Sequence, residues 1–193
     1  MPRIVTATIN PAIDKSTTVG QVVPERKLRC KPPRLEPGGG GINVARAIHR
    51  LGGQATALWS QGGPAGQRFL ELLEEEAIPH QPVPIAGPTR ENLIVYEESS
   101  EQQYRFGMPG PELDQQDLER WIEAIDRLDP APDYFIASGS LPPGAPADLY
   151  ARMADRLGPD CRTIVDSKAE PLRNAVERGV YLIKPNVREL AGL

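Results

Sequence analysis

The chain has 193 residues, enough for one domain with a sizeable core, and a formal net charge of −4 at pH 7. That mild acidity argues against nucleic acid or an anionic membrane surface as a partner, and no apolar run approaches the roughly 18 residues that a spanning helix needs. Cys30 and Cys161 are the only cysteines, too few for a disulfide framework, and the N-terminus has no signal-peptide layout, so a soluble protein of the reducing cytoplasm is expected.

Residues 3–9 (RIVTATI) are rich in β-branched side chains and predict a buried first strand. The strand ends at Asn10-Pro11, a turn signal, and Asp14 follows where ligands bind in open α/β sheets, past a strand's carboxyl end. Residues 16–35 are polar and broken by proline, which suggests small edge strands in a flap. Next comes the stretch EPGGGGINVARAIHRLGG, residues 36–53. Four glycines lead into a helix whose apolar face is Ile42, Ala45, Ile48 and Leu51, with Arg46 and Arg50 on the other side. A glycine-led helix N-terminus presents unpaired N–H donors and partial positive charge, which suits a polyhydroxylated or anionic small molecule, and Asn43 adds an amide in the first turn.

Residues 54–60 predict a strand and 64–78 a helix, followed by a proline-punctuated stretch from 79 to 88. Residues 91–106 read as a hairpin with few large apolar residues. Its resemblance in character to 16–35 implies a small second sheet made of two separated pieces. The clearest helix is 114–128, with Asp114 as its N-cap. The last third alternates strand 134–137, helix 146–157, strand 162–166, helix 170–178 and strand 180–184, with Gly179 closing the last helix. That alternation predicts an α/β fold with a mostly parallel sheet.

In such a sheet the loops after the strands carry the chemistry. The first is Ser138-Gly139-Ser140, the second Asp166-Ser167-Lys168, and the third runs from Lys184 through Asn186 to Glu189. Asn186 and Glu189, three apart as a helix begins, lie on one face, where an oxygen-liganded Mg²⁺ and its phosphate could be held. Singly, Asp166 is also explained as an N-cap and Glu189 as a first-turn carboxylate.

Together these residues resemble the ribokinase-like sugar kinases of the PfkB family, along the whole chain. GGGGINVA matches the family's first signature, and Asn186 to Glu189 in KPNVREL matches its Asn-x-x-Glu motif. Within the family the stretches KLRC, TRENL, EQQYRFGMPG and SGSLPPG are most similar to the 6-phosphofructokinase branch. Members acting on fructose 1-phosphate or tagatose 6-phosphate typically carry Lys where this chain has Gly40. The resemblance implies a three-layer fold, incomplete at its C-terminus, in one domain spanning 1–193, with lid segments at about 15–35 and 89–107. It implies ATP-dependent phosphorylation of fructose 6-phosphate at the 1-hydroxyl. Asp14, Gly38, Gly39 and Asn43 are then expected to hold the sugar hydroxyls, and Ser140 to lie near the sugar phosphate. Arg90, Lys27 and Arg105 would face the 6-phosphate. Lys184 and Asn186 would approach the ATP phosphates, and Glu189 with Asp166 would organise Mg²⁺. A homodimer through the β lid is also implied.

The family's second signature, Gly-Ala-Gly-Asp, whose Asp is the general base, occurs nowhere in the 193 residues. The expectation is that the base lies beyond Leu193, that the chain alone has no significant phosphotransferase activity, and that an apolar sheet edge is left exposed. Three alternatives stay open: a tagatose 6-phosphate or fructose 1-phosphate kinase, a sugar-phosphate-binding module that does no chemistry, and, weakest, a dinucleotide-binding domain. The last is disfavoured because the spacing is not G-x-G-x-x-G and no strand is predicted immediately before the glycines.

Overall fold

The computed structural model describes residues 1–192; Leu193 lies outside the described residues. The main sheet has six strands, β1 (Ile4–Thr8), β4 (Thr56–Gln61), β5 (His80–Pro84), β8 (Tyr134–Ser138), β9 (Arg162–Asp166) and β10 (Leu182–Ile183), in the order β10-β9-β8-β1-β4-β5. Every neighbouring pair is parallel. The chain therefore winds outward from β1 in both directions, and the carboxyl ends of β1 and β8 form the topological switch point, where open α/β sheets bind ligands.

Helices cover both faces. On one side α1 (Gly40–Arg50) and α2 (Gly63–Glu75) bury Ile42, Ala45, Phe69 and Leu73 against Ala57 and Trp59. On the other, α3 (Gln115–Asp126), α4 (Leu149–Leu157) and α5 (Ala169–Arg178) bury Trp121, Tyr150, Met153 and Leu172 against Val5, Phe135 and Val165. Asp114 caps α3 as expected, accepting from the Asp117 N–H at 2.8 Å while Asp117 accepts from the Asp114 N–H. Trp121 donates to Ser60 Oγ at 2.9 Å, and Ser60 Oγ donates to the Ile9 carbonyl at 2.7 Å, a buried relay that ties α3, β4 and the end of β1 together.

A second sheet has the order β3-β2-β6-β7, from β2 (Ala12–Val19), β3 (Arg34–Gly38), β6 (Arg90–Glu97) and β7 (Gln102–Phe106). β2 pairs parallel with β6, from Ala12 opposite Arg90 to Val19 opposite Glu97, and the outer pairs are antiparallel. Ile13 and Leu35 turn one face onto the α1–α2 core. Glu97 fastens the rest. It is buried and accepts from the Val22 N–H at 2.9 Å, Ser99 Oγ at 3.0 Å, Ser100 Oγ at 2.7 Å and the Tyr104 hydroxyl at 3.0 Å.

Four sequence expectations change. The strands of the second sheet begin at Ala12 and continue to Gly38, beyond the segment predicted from 15 to 35. A strand, β3, does run directly into the glycines, although it belongs to the second sheet and pairs antiparallel, so it does not make the parallel βαβ unit of a dinucleotide fold. The stretch around Pro82 and Pro84 forms β5, which is tolerated because it is an edge strand and needs to pair on one side only. Arg46 does not take a solvated helix face. It is 9% exposed, and its guanidinium grips Glu76 through Nε and Nη2, both at 2.6 Å, while reaching Glu36 and the Pro37 carbonyl at 3.3 Å. The Glu76 hydrogen bonds are the main reason its pKa is raised.

Glu76→Ala strands the Arg46 charge and should cost about 2 kcal/mol, seen as a lower urea midpoint with an unchanged slope. The Ser100 hydroxyl and the Val22 amide lead in pulling the Glu97 carboxyl down to about 2. Its stabilisation is therefore complete above about pH 4.5 and lost as the pH falls toward about 2, and Glu97→Gln should flatten the unfolding temperature over that window.

Candidate functional site

The site starts from the first turn of α1. A Cβ on Gly40 would collide with Ser138 and stand 2.7 Å from the Gly139 nitrogen, and one on Gly41 would stand 2.6 Å from the Ala7 carbonyl oxygen. Only glycine at both positions lets the helix press into the switch point. Gly39, at φ 124°, makes the bend that leads in. Thr8 Oγ1 accepts from the Ile42 N–H at 2.9 Å, and the N-cap residue, Gly39, has no side chain to accept from the N–H groups before it. The N-terminal donors of α1 are thus aimed at the crevice.

The 138–140 turn is held from behind. Gly139 N donates to the Asp166 carbonyl at 2.9 Å, and the Gly139 carbonyl accepts from Ser167 Oγ at 3.0 Å and the Tyr150 hydroxyl at 3.2 Å. Tyr150 is fully buried, and burial, with the nearby Asp166 charge, pushes its pKa upward, so it remains a donor. Ser138 Oγ donates to Asp166 Oδ2 at 3.0 Å, and Lys184 Nζ meets Asp166 Oδ1 at 3.1 Å. Gly40, the 138–140 turn, Asp166, Ser167, Lys168 and Glu189 line an open cavity of about 280 Å³. A cavity of about 310 Å³ around Cys161 and Thr163 lies at the amino ends of β9 and β10, away from this chemistry.

The second sheet brings in Asp14 and Arg90. Asp14 Oδ1 accepts from Asn92 Nδ2 at 2.9 Å, and its Oδ2 lies against Gly38, where a Cβ would collide with the carboxylate as it stands. Arg90 donates from Nη1 to the Met108 carbonyl at 2.8 Å and from Nη2 to the Asn10 carbonyl at 3.0 Å. Its buried Nε has no partner among the described residues. Burial lowers its pKa, and the Asp14 carboxylate opposes that shift. Asn10 Nδ2 reaches Ser140 Oγ at 3.4 Å, so the hinge between the sheets touches the 138–140 turn.

Of the residues expected from sequence, Asp14 and Gly38 adjoin one another, and Gly39, Asn43 and Ser140 lie at the α1 end of the crevice, with Asn43 exposed in the first turn. Arg90 reaches the same hinge. Lys27, in the loop between β2 and β3, and Arg105, on β7, are exposed and make no ion pair among the described residues. Asn186 and Glu189 cap one another. Asn186 Oδ1 accepts from the Arg188 and Glu189 N–H groups at 2.9 Å, and Glu189 Oε2 accepts from the Asn186 N–H at 2.8 Å, a reciprocal cap on α6 (Val187–Leu190). Asp166 and Glu189 line one cavity. Among the described residues no three His, Cys, Asp or Glu side chains gather as a metal cage. Sequence reasoning treated Asn10 as a turn residue and passed over Asn92 and Tyr150; the strand register and the packing of α4 were needed to find them.

A parallel sheet whose switch point receives a glycine-led helix and is flanked by a small mixed sheet defines a ribokinase-like fold. The chain belongs to the pfkB family of carbohydrate kinases, whose model matches residues 5–193. It is 44% identical over 194 residues to the ATP-dependent 6-phosphofructokinase isozyme 2 of Mycobacterium tuberculosis, covering 98% of this chain and 56% of that protein. It is 43% identical over 197 residues to the isozyme 2 of Escherichia coli K12, covering 100% of this chain and 63% of that protein. A solved structure of phosphofructokinase-2 from Escherichia coli in complex with fructose-6-phosphate superposes with a TM-score of 0.92 at 42% identity, over 99% of this chain and 63% of that one. The chain thus spans somewhat over half the length of these relatives.

Gly40→Ala tests the packing at the crevice. The added methyl meets backbone at 138–139 and should cost about 1–3 kcal/mol, lowering the melting temperature by several degrees. Gly20→Ala, where a Cβ meets nothing within 4 Å, should leave it nearly unchanged.

Proposed function

We propose that this chain forms the sugar-phosphate-binding part of an ATP-dependent 6-phosphofructokinase, which transfers a phosphoryl group from MgATP to the 1-hydroxyl of fructose 6-phosphate and yields fructose 1,6-bisphosphate. The observation that carries this reading is the meeting, at one switch point, of a glycine-led helix N-terminus with Asp14 and Arg90 from the second sheet. The side-chain-free position 40 supports it too, because a Lys there would have to displace the 138–140 turn.

In this reading Asp14, the glycine run and Asn43 accept from and donate to the sugar hydroxyls. Arg90 grips the 6-phosphate with the N–H groups that two backbone carbonyls leave free, and those carbonyls fix the plane of its fork. Lys27 and Arg105 add exposed positive charge, and Ser140 stands beside Arg90's hinge. Lys184 and Asn186 lie near the nucleotide phosphates, and Asp166 and Glu189 suit the Mg²⁺ that accompanies ATP. Positioning and charge neutralisation provide most of the catalysis in phosphoryl transfer, and these are what the chain's residues supply. No Gly-Ala-Gly-Asp stretch occurs in the 193 residues, so this reading gives none of them the role of proton acceptor for the 1-hydroxyl.

The second sheet, from 12 to 38 and 90 to 106, serves as a lid inserted in a single kinase domain. Its open face of half-buried Ser16, Thr18 and Ile94 beside exposed Tyr96 supports a homodimer formed with a second copy, which sedimentation at micromolar concentration checks. Initial rates of the protein expressed from its own gene, on fructose 6-phosphate, fructose 1-phosphate and tagatose 6-phosphate with MgATP, decide the substrate. The first should show the highest kcat/KM; preference for either of the others contradicts the reading. Arg90→Ala should raise KM for fructose 6-phosphate about 30- to 100-fold with kcat much less affected.

A further inference from the structure

Asn92 stands directly beside Asp14 in the parallel register of β2 and β6. Its Nδ2 donates to Asp14 Oδ1 at 2.9 Å, and its Oδ1 accepts from the Met108 N–H at 3.0 Å. The first partner can only accept when ionised and the second can only donate, so the orientation of the amide is fixed by chemistry. The Met108 carbonyl then accepts from Arg90 Nη1 at 2.8 Å. One residue of the 107–111 strap therefore links the amide that holds Asp14 to the guanidinium of Arg90. At the far end of this strap Gly110 lies so close to Asn10 that a Cβ would collide with its side-chain oxygen. The strap is thereby pressed onto the hinge whose carbonyl receives Arg90 Nη2. With Oδ1 of Asp14 engaged by Asn92, Oδ2 is left facing the glycine run.

We infer that Asn92 is a positioning residue of the sugar-phosphate site: it fixes the Asp14 carboxylate and, through Met108, the Arg90 fork, so that a hydroxyl and a phosphate of one ligand are gripped at a set separation. The inference rests on the reading of Asp14 and Arg90 as ligands of fructose 6-phosphate. Asn92 touches neither group of the sugar in this scheme, and its effect is on affinity. Misplacement of the ligand groups raises KM, whereas the reacting hydroxyl is aligned by the α1 end of the crevice.

The test compares Asn92→Asp and Asn92→Ala with the wild type, all expressed from the full gene. It reads KM and kcat for fructose 6-phosphate, and calorimetric binding of the same sugar, at pH 8 and pH 5.5. Ratios to wild type at each pH remove the titration of the substrate's own phosphate. Asn92→Asp keeps an oxygen for the Met108 N–H but sets a carboxylate against Asp14. Around that pair lie Arg90 and, on β3, Glu36, which Arg34 and Arg46 already engage, while Lys15 pairs with Glu91 on the opposite face. Two facing carboxylates share a proton as the pH falls, and the shared proton restores a donor.

The expected result is a KM about 30-fold above wild type for Asn92→Asp at pH 8, returning to within about threefold at pH 5.5, with kcat little changed. Asn92→Ala should raise KM about tenfold at both pH values, because it has no proton to share. A general packing defect would not recover on acidification. Wild-type-like KM and binding for Asn92→Asp at pH 8, a pH-independent ratio, or a loss confined to kcat overturns the inference while leaving the parent reading intact. A wild type that does not bind fructose 6-phosphate overturns both.

Discussion

The packing of two bare glycines against two strand ends determines the rest of the molecule. At Gly40 and Gly41 the helix comes so near Ala7, Ser138 and Gly139 that no side chain fits, and Thr8 seals the contact with a hydrogen bond to the Ile42 amide. The amphipathic run of Ile42, Ala45 and Ile48 draws α1 onto the sheet, and the glycines set how far along it can slide. A helix displaced by even a methyl group would lift its N-terminal donors away from the switch point and lose the wall that it makes with the 138–140 turn. On the other side of that wall, Tyr150 of α4 and Ser167 of the loop after β9 hold the Gly139 carbonyl, so α4 braces the turn from behind.

The second sheet depends on the same point. The chain leaves β1 through Asn10 and Pro11 and enters β2 at Ala12, so the hinge and the floor of the crevice are one stretch of backbone. Arg90 donates to the Asn10 carbonyl and Asn10 reaches Ser140, which joins the two sheets by polar contacts. Farther out, the sheet is held mainly by the Glu97 cluster and by exposed ion pairs such as Lys15 with Glu91, each worth little in water. Its apolar anchorage, Ile13 and Leu35, lies at the hinge end.

Much of this was legible in the residues. Near-continuous apolar strands alternating with amphipathic helices gave the parallel sheet, and the glycine run ahead of Ile42 marked the helix that approaches the crevice. What stayed hidden depends on contacts between distant segments. Arg46 falls on the polar side of its own helix, yet Glu76 at the end of α2 and the Pro37 carbonyl close over it. β5 contains two prolines and reads as a loop until β4 is seen to supply pairing on one side. Asn186 and Glu189 have the spacing of a shared site and also that of a reciprocal cap, and the helix end takes them for the cap. Asn92 lies within a recognisable stretch, but only the β2–β6 register shows that it faces Asp14.

In the function proposed above, the α1 N-terminus and the second sheet together receive one sugar phosphate. Backbone amide NMR of the ¹⁵N-labelled chain, titrated with fructose 6-phosphate, tests it most directly. Saturable shifts are expected at Gly38 to Asn43, Ser138 to Ser140 and Arg90, with residues at the amino ends of β9 and β10 unmoved. Shifts centred on the Cys161 and Val180 end of the sheet, or none at millimolar ligand, would contradict it.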